Sequence, residues 1–222
     1  MSRYFSYLNS TKGILSDYNG EEPFATFIKK YFSTHKKFGS KDRKQISHLC
    51  YCYFRLGKAM IDTPAEERIL LGLFLCSFQS NEILQELKPE WNEKIHLPVE
   101  EKCSMLNVQC STLNLFSFTD ELSEGIETER FILSHLAQPD LFLRLRPGKE
   151  ISVMQKLYKA GIRFEQITNT CIALPNSSRI DDVIELNKEA LVQDDSSQRT
   201  GELLNNLKSK TANHKWPKDD RA

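Results

Sequence analysis

The hydrophobic period of this 222-residue chain changes at Pro139, and this change limits the folds that the chain can adopt. Before Pro139, apolar residues recur at intervals of three and four, as in the segment 24–31, which is the spacing along one face of an α-helix. After Pro139, residues 141–146 place a leucine at every second position and precede a Pro-Gly pair, a pattern typical of a strand and a turn. The sequence therefore predicts a mixed fold with a domain boundary near residue 138.

Residues 1–138 are predicted to form a helical domain. A helix follows Pro23, and a second helix begins with Ser40 as its N-cap and ends at Gly57. A third helix begins at the Thr-Pro-Ala-Glu segment 63–66, with Thr63 as its cap and Pro64 as its first residue. It is apolar nearly all round through Cys76, so we expect it at the centre of a small bundle. The core side of the second helix is predicted to carry Ile46, Leu49, Cys50, Tyr53 and Phe54. Shorter helices are predicted around 83–87, 100–106 and 127–136.

Residues 139–204 are predicted to form a small α/β sandwich. Its predicted elements are a strand at 141–146, a helix at 153–159, short strands at 163–167 and 171–174, and a helix at 180–187. The polar segment 192–198 is predicted to cap a further short helix, which continues through Leu203–Lys208. A polar tail, residues 205–222, completes the chain.

The cysteines and the N-terminus predict a reducing, cytoplasmic environment. The six cysteines, at positions 50, 52, 76, 103, 110 and 171, are expected to be free buried thiols rather than a disulfide framework. The N-terminus has no apolar segment typical of a secretory signal. The longest apolar run, residues 69–76, is far shorter than the roughly 20 residues that span a bilayer, so no membrane partner is expected.

Positive charge and aromatic residues are concentrated in the first 60 residues. This segment holds 11 Lys and Arg against four Asp and Glu, and 12 of the 22 aromatic residues, although the formal net charge of the chain is zero. Between residues 28 and 58 there are nine basic side chains and a single acid, Asp42. Such a segment on a neutral protein indicates a polyanionic partner, nucleic acid above all. The alternative is that the rings belong to the core and the lysines form a solvated face.

The polar stretch between the first two predicted helices concentrates this charge. It holds Lys36, Lys37, Lys41 and Arg43, whose side chains can reach phosphate oxygens without being buried. For Arg43 and the neighbouring Asp42, the alternative is that they cap the second helix or pair with residues nearby.

Motifs for nucleotide and metal chemistry do not occur in the sequence. No two of the nine glycines are closer than seven residues, which excludes a P-loop and a dinucleotide-binding fingerprint. No two of the five histidines are closer than 13 residues, so there is no local pair of zinc ligands and no metal site is predicted. His48 and His135 lie near predicted apolar helix faces and are expected to be structural.

Five short motifs, taken in order along the chain, carry a resemblance to a known family. They are Gly39-Ser40-Lys41-Asp42-Arg43, Tyr53-Phe54-Arg55, Phe142-Leu143-Arg144-Leu145-Arg146, Gly161-Ile162 and Val192-Gln193-Asp194-Asp195-Ser196-Ser197-Gln198. Over residues 20–204 the chain resembles the N-terminal part of the Sun (Fmu) family of RNA cytosine 5-methyltransferases. The last motif is the most specific one. The segment 188–190, Lys-Glu-Ala, departs from the family, because many relatives have a glycine there.

The resemblance implies a NusB-like RNA-binding domain over residues 1–138 and a small RNA-recognition-like α/β subdomain over 139–204. It also implies that the segment 193–198 docks against a catalytic domain. From their charge or from the resemblance, the residues predicted to bind structured RNA are Lys29, Lys30, Lys36, Lys37, Lys41, Arg43, Lys44, Arg55, Arg144 and Arg146. The residues predicted to dock the catalytic domain are Gln193, Asp194, Ser196, Ser197 and Gln198.

In the family, a Rossmann-like domain that binds S-adenosylmethionine follows these regions. The cofactor motif and the two catalytic cysteines of that domain do not occur here, so we expect no cofactor and no catalytic residue, and a chain cut or frameshifted before that domain. Cys171 follows a threonine, as the family's nucleophile does, but it precedes the Gln-Asp motif and is expected to be an inert strand cysteine.

The leading hypothesis is therefore the RNA-binding portion of a ribosomal or transfer RNA cytosine 5-methyltransferase, inactive on its own. The alternative is a NusB-like scaffold that binds a partner protein, which predicts an exposed apolar patch within residues 69–87.

Overall fold

The computed structural model describes residues 2–106 and 114–201, which belong to two compact units, Met1–Gln138 and Pro139–Ala222. Helices build the first unit, called here the helical unit, and the second, the sheet unit, combines helix with a small antiparallel sheet. The predicted mixed fold is thus confirmed at this level. Cys110, the predicted helix at Leu203–Lys208 and the polar tail 205–222 lie outside the described residues.

The helical unit contains the predicted helices and, in addition, helices at Arg3–Asp17 and Pro89–Glu93 that the sequence pattern does not predict. The described helices, in chain order, are α1 (Arg3–Asp17), α2 (Phe24–Thr34), α3 (Ser40–Arg55), α4 (Ala65–Cys76), α5 (Glu82–Leu87), α6 (Pro89–Glu93), α7 (Val99–Met105) and α8 (Thr128–Ser134), with a 3-10 helix at Thr119–Glu121. Two predicted caps are wrong by one residue. Gly39 rather than Ser40 precedes α3, and Pro64 rather than Thr63 precedes α4, without a side-chain hydrogen bond from the cap residue in either case.

Helix α4 lies in the core of the helical unit, as its apolar sequence predicts. Every residue from Arg68 to Leu75 is buried. Gly72 allows α4 to approach α3 closely, because a Cβ atom at this position would lie only 2.7 Å from the carbonyl oxygen of Cys52. The absence of a side chain at Gly72 therefore brings the two backbones together at the centre of the unit.

Two cations are buried in the same unit. The Nε of Arg68 donates to the carbonyl oxygen of Ala59 at 2.9 Å, and one Nη donates to that of Gly57 at 2.6 Å. Lys102 is fully buried, and its Nζ donates to the carbonyl oxygens of Phe74 at 3.1 Å and Ser77 at 2.5 Å, at the end of α4. Both side chains therefore satisfy backbone groups that the helices leave without partners.

The described part of the sheet unit contains four strands and helix α9 (Glu150–Lys159), and the chain is helical again from residue 195. The strands are β1 (Leu141–Leu145), β2 (Glu165–Gln166), β3 (Cys171–Leu174) and β4 (Ala190–Val192), in the spatial order β2-β3-β1-β4 with every pair antiparallel. Leu143 and Leu145 of β1 form a core with Val153 and Leu157 of α9. The period of two in β1 thus turns its leucines toward the helix.

One predicted helix in the sheet unit is wrong. The segment 180–187 makes a single turn, in which the N–H of Ile184 donates to the carbonyl oxygen of Ile180 at 3.0 Å. The chain then reverses at Asn187, which has a φ of 70° and donates its N–H to Ala190 at 2.7 Å. This reversal leads directly into β4, a strand that the sequence pattern does not predict.

Cys50, Cys52, Cys76 and Cys171 are free thiols as predicted, and all of these except the half-buried Cys76 are buried. Among the described residues, no helix has the length and hydropathy needed to cross a bilayer.

Candidate nucleic-acid interface

The loop between α2 and α3, residues 35–39, is anchored by a buried aromatic residue. The ring of Phe38 is buried and packs edge-on against Phe32 of α2, with 5.6 Å between the ring centroids. Lys36 and Lys37 precede Phe38 and are exposed. Because Phe38 ties the loop to the core, the two lysines are held at a defined place on the surface.

Asp42 stabilises the start of α3. Its Oδ2 accepts a hydrogen bond from the N–H of Gly39 at 3.0 Å, and its Oδ1 accepts one from the hydroxyl of Tyr7 at 2.7 Å. The bond from Tyr7, followed by that from Gly39, lowers the pKa of the Asp42 carboxyl below its ordinary value. The alternative that Asp42 caps the helix is confirmed, and both oxygens of the one acid in this segment are bound within the fold.

Arg43 also makes contacts within the fold. Its Nε donates to the carbonyl oxygen of Phe38 at 2.8 Å, and its guanidinium carbon lies 5.9 Å from the ring centroid of Phe32. Arg43 is half-buried, whereas Lys41 and Lys44 on either side of it are exposed. Arg43 is predicted to bind RNA, but its contacts stabilise the loop that carries the exposed lysines.

One face of α3 carries a row of basic and aromatic side chains, called here the α3 stripe. Its members are Lys41, Lys44, His48, Tyr51 and Arg55. They follow one another at intervals of three or four residues, so they lie on the same side of the helix. The first four are exposed, and Arg55 is half-buried and donates to the side-chain oxygen of Gln138. The stripe continues the lysines of the loop along the surface.

The two predicted lysines of α2 differ in their partners. Lys29 and Lys30 are both exposed. The Nζ of Lys30 lies 2.7 Å from a carboxylate oxygen of Glu22, so an acid already compensates this charge. Lys29 forms no ion pair within the described part of the chain.

Sequence reasoning missed an aromatic cluster beside the stripe. The pattern of apolar residues places Phe54 on the core side of α3, but 38% of this side chain is exposed, as is 38% of Tyr51. The ring of Phe24 packs edge-on against both, with centroid distances of 5.5 Å to Tyr51 and 4.6 Å to Phe54. Helical spacing alone does not separate a ring within the core from a ring at its border. The signal that could have found the cluster is the density of aromatic residues in this basic segment.

In the sheet unit, Arg144 and Arg146 alternate with the buried leucines of β1 and are exposed. The Nη1 of Arg144 donates to the side-chain oxygen of Gln193 at 3.5 Å, and an Nη of Arg146 donates to the carbonyl oxygen of Asn187 at 3.3 Å. Since successive residues of a strand point to opposite faces, Arg144 lies on the face away from α9.

The segment 193–198 begins a helix, and Asp194 is its cap. The carboxylate of Asp194 accepts hydrogen bonds from the hydroxyl of Ser196 at 2.6 Å and from the N–H of Ser197 at 2.7 Å. These bonds, with a further one from the hydroxyl of Ser197, lower the pKa of Asp194 to about 2. The predicted capping is thereby confirmed. Gln198 is buried, and its amide nitrogen donates to the carbonyl oxygen of Gln193 at 2.8 Å.

Cys171 lies in β3 and is buried. Burial, and then the nearby carboxylate of Asp195, raises the pKa of this thiol above its ordinary value. Its Sγ lies 3.8 Å from an Oδ of Asp195. A thiol with a raised pKa in a closed position is a poor nucleophile.

Within residues 2–106 and 114–201 there is no group of three or more His, Cys, Asp or Glu side chains that could hold a metal ion. The widely spaced glycines provide no glycine-rich turn of the kind that holds S-adenosylmethionine in the family. We therefore derive no chemical step through either group.

No protein-family model matches the chain, and a comparison with curated proteins finds no match either.

Proposed function

We propose that this chain is the RNA-binding N-terminal portion of a Sun-family RNA cytosine 5-methyltransferase. In this proposal the helical unit is the NusB-like RNA-binding domain of the family, and the sheet unit is its small RNA-recognition-like subdomain. The ligand is structured ribosomal or transfer RNA. The support comes from the ordered motifs in the sequence and from the placement of the basic residues.

The observation that carries the proposal is a set of four exposed lysines, Lys36, Lys37, Lys41 and Lys44. In the part of the chain that the structure describes, none of the four forms an ion pair with an acid. The neighbouring Asp42 is bound by Tyr7 and Gly39. Four exposed ammonium groups without an ion pair, on a loop and one helical turn, form a local concentration of positive charge, which is the electrostatic signature of a phosphate-binding surface.

These lysines suit backbone recognition rather than base reading. An ammonium group contacts phosphate oxygens as a point charge and carries no sequence information, so the lysines position the RNA. Each neutralised phosphate releases condensed counterions, and affinity falls with salt accordingly. The proposal therefore assigns shape and charge, rather than base identity, to the helical unit.

The sheet unit has a second role in the proposal. Arg144 on β1 and Arg146 directly after it are exposed, and in the proposal they contribute RNA contacts of the sheet unit. The segment 193–198 is the hinge that docks the catalytic domain of the family, which binds S-adenosylmethionine and carries the nucleophile. Methyl transfer is thus assigned to that domain, and this chain supplies RNA binding.

The scaffold alternative receives less support. It predicts an exposed apolar patch within residues 69–87, but residues 69–75 are all buried. Phe78 is the one large apolar side chain of this segment with an exposed surface, and the Nζ of Lys102 lies 4.4 Å from its ring centroid. A single ring beside a cation is not a contiguous patch.

The test is fluorescence anisotropy with a labelled structured RNA, recorded between about 50 and 200 mM salt. The triple variant Lys36→Glu, Lys37→Glu and Lys41→Glu is expected to weaken binding roughly 100-fold and to reduce the slope of log affinity against log salt by about 2 to 3. A matched control reverses Lys94, Arg130 and Lys159, which are exposed elsewhere and change the net charge equally. Equal loss in the control, or full affinity in the first variant, contradicts the basic loop as the contact surface.

A further inference from the structure

The aromatic cluster beside the α3 stripe is partly exposed to solvent. Tyr51 and Phe54 lie one turn apart on α3, and each is 38% exposed. Phe24 packs edge-on against both rings, and Tyr18 packs edge-on against Phe54 at 5.8 Å. The rings therefore fix one another by packing, and each of the two rings on α3 is partly buried and partly exposed to water.

Tyr51 connects the cluster to the basic residues of α3. Tyr51 is itself a member of the α3 stripe, between His48 and Arg55. Lys41 and Lys44 continue the stripe toward the start of the helix, so that the row from residue 41 to residue 55 extends over about 21 Å at the helical rise. A contiguous surface thus has lysines at one end and rings at the other.

These two ends suit different parts of a nucleic acid. The lysines attract phosphates on any RNA, whether paired or unpaired. An exposed ring contributes by stacking on the face of a base, which is worth about 1–3 kcal/mol per base. In a duplex the base faces are covered by their neighbours, and only unpaired nucleotides can offer them to a protein. A protein that held duplex RNA alone would have no use for the exposed rings.

We infer that the surface binds RNA with an unpaired segment next to a duplex, and that unpaired bases stack on Tyr51 and Phe54 while the phosphates lie along the lysines. The inference rests on the proposed function and adds the class of RNA. The partner is thus selected by its unpaired bases as well as by its charge.

The test compares three labelled RNAs that share one duplex. The first is blunt, the second carries a short adenosine overhang, and the third carries an overhang of the same length built from abasic nucleotides. The abasic overhang keeps the phosphates and removes the bases. We expect the adenosine overhang to improve affinity roughly tenfold over the blunt duplex, and the abasic overhang to lose most of that gain.

Protein variants then locate the effect. Tyr51→Ala and Phe54→Ala are expected to remove the advantage of the adenosine overhang and to leave binding of the blunt duplex unchanged. Tyr51→Phe retains the ring and is expected to retain the advantage. If an alanine variant fails to fold, which thermal unfolding reports, the comparison of the three RNAs with the unmodified protein still decides the question.

The possible failures are distinguishable. Equal affinity for all three RNAs overturns the inference and leaves the proposed RNA binding intact. Tighter binding of both overhangs, adenosine and abasic alike, also overturns it, because phosphates alone then explain the gain. No binding of any of the three at low salt removes the proposed function and the inference with it.

Discussion

The helical unit contains two groups of cations that share a chemical type and differ in their surroundings. Lys36, Lys37 and Lys41 end in solvent and form no ion pair among the described residues. Arg68 and Lys102 are buried, and their nitrogens end on backbone carbonyl oxygens. Whether a cation is available to a ligand therefore depends on how the backbone packs around it, and not on the number of charges in its segment.

The buried pair also shows how the unit tolerates charge without a carboxylate. Arg68 lies over the ring of Tyr53 at 4.2 Å, and Lys102 lies near the rings of Phe74 and Phe78 at 5.1 and 4.4 Å. Carbonyl oxygens and ring faces carry partial negative charge. They interact with the buried cation and so replace part of the hydration that it loses on burial. Lys102 additionally lies at the C-terminal end of α4, where the helix dipole favours a cation.

Replacing Arg68 is expected to have the largest effect on the fold. Arg68→Met retains an unbranched apolar stem but leaves the carbonyl oxygens of Gly57 and Ala59 without their donor. The bond to Ala59 is buried and that to Gly57 is partly buried. Because an unsatisfied buried acceptor costs about 1–3 kcal/mol, we expect the free energy of unfolding to fall by roughly 2–3 kcal/mol. Chemical denaturation measures this change.

The matched control for this variant is Arg130→Met, which alters an exposed arginine of α8 and is expected to change the free energy of unfolding by less than about 0.5 kcal/mol. If both variants lose the same stability, the carbonyl contacts of Arg68 contribute nothing and the comparison between buried and exposed cations fails.

Lys102 is expected to make stability depend on pH in the alkaline range. Burial lowers the pKa of its amine to about 8 from an ordinary value of 10.5. Between these values the unfolded chain retains the proton that the folded chain has lost, so the free energy of unfolding rises with pH, by on the order of 2–3 kcal/mol in all. Below pH 8 both states are protonated and the contribution is constant.

This pH dependence is measured as the difference between the unmodified protein and Lys102→Met, which cancels the titration of other groups. Lys94→Met, at an exposed position, serves as the control and is expected to keep the alkaline rise. If the free energy of unfolding of Lys102→Met still rises in the alkaline range, another group titrates there. Lys102 would then behave like an exposed lysine.

The secondary structure could be predicted where a local pattern reflects burial. The all-apolar stretch of α4 and the alternating leucines of β1 each follow from the face that is buried, and both predictions are confirmed. Strand β4 could not be predicted, because three residues form it and its hydrogen bonds depend on the distant strand β1. The segment 180–187 shares the apolar spacing of a helix, but one turn suffices to bury Ile180 and Ile184.

The sequence predicts that the candidate interface is basic, but it does not predict which basic side chains are exposed and which are bound within the fold. The density of lysines between residues 28 and 58 indicates the basic surface, but the use of Arg43 inside the loop depends on the carbonyl of Phe38. In sequence, Lys102 is an ordinary charged residue of a short amphipathic helix. Its burial depends on the end of α4, some 25 residues earlier in the chain. Tertiary contacts of this kind leave no local periodicity to detect.

The exposed lysines are expected to have the smallest effect on stability. Replacing Lys36, Lys37, Lys41 and Lys44 together by alanine removes no ion pair among the described residues, and the contact of Lys37 with the ring of Phe38, at 5.0 Å, is exposed to solvent. The free energy of unfolding should therefore change by less than about 1 kcal/mol, while RNA affinity falls steeply. Denaturation and anisotropy on the same preparation measure both quantities. A stability loss as large as that of Arg68→Met would mean that these lysines belong to the fold, and the two groups of cations would no longer differ in the way their surroundings indicate.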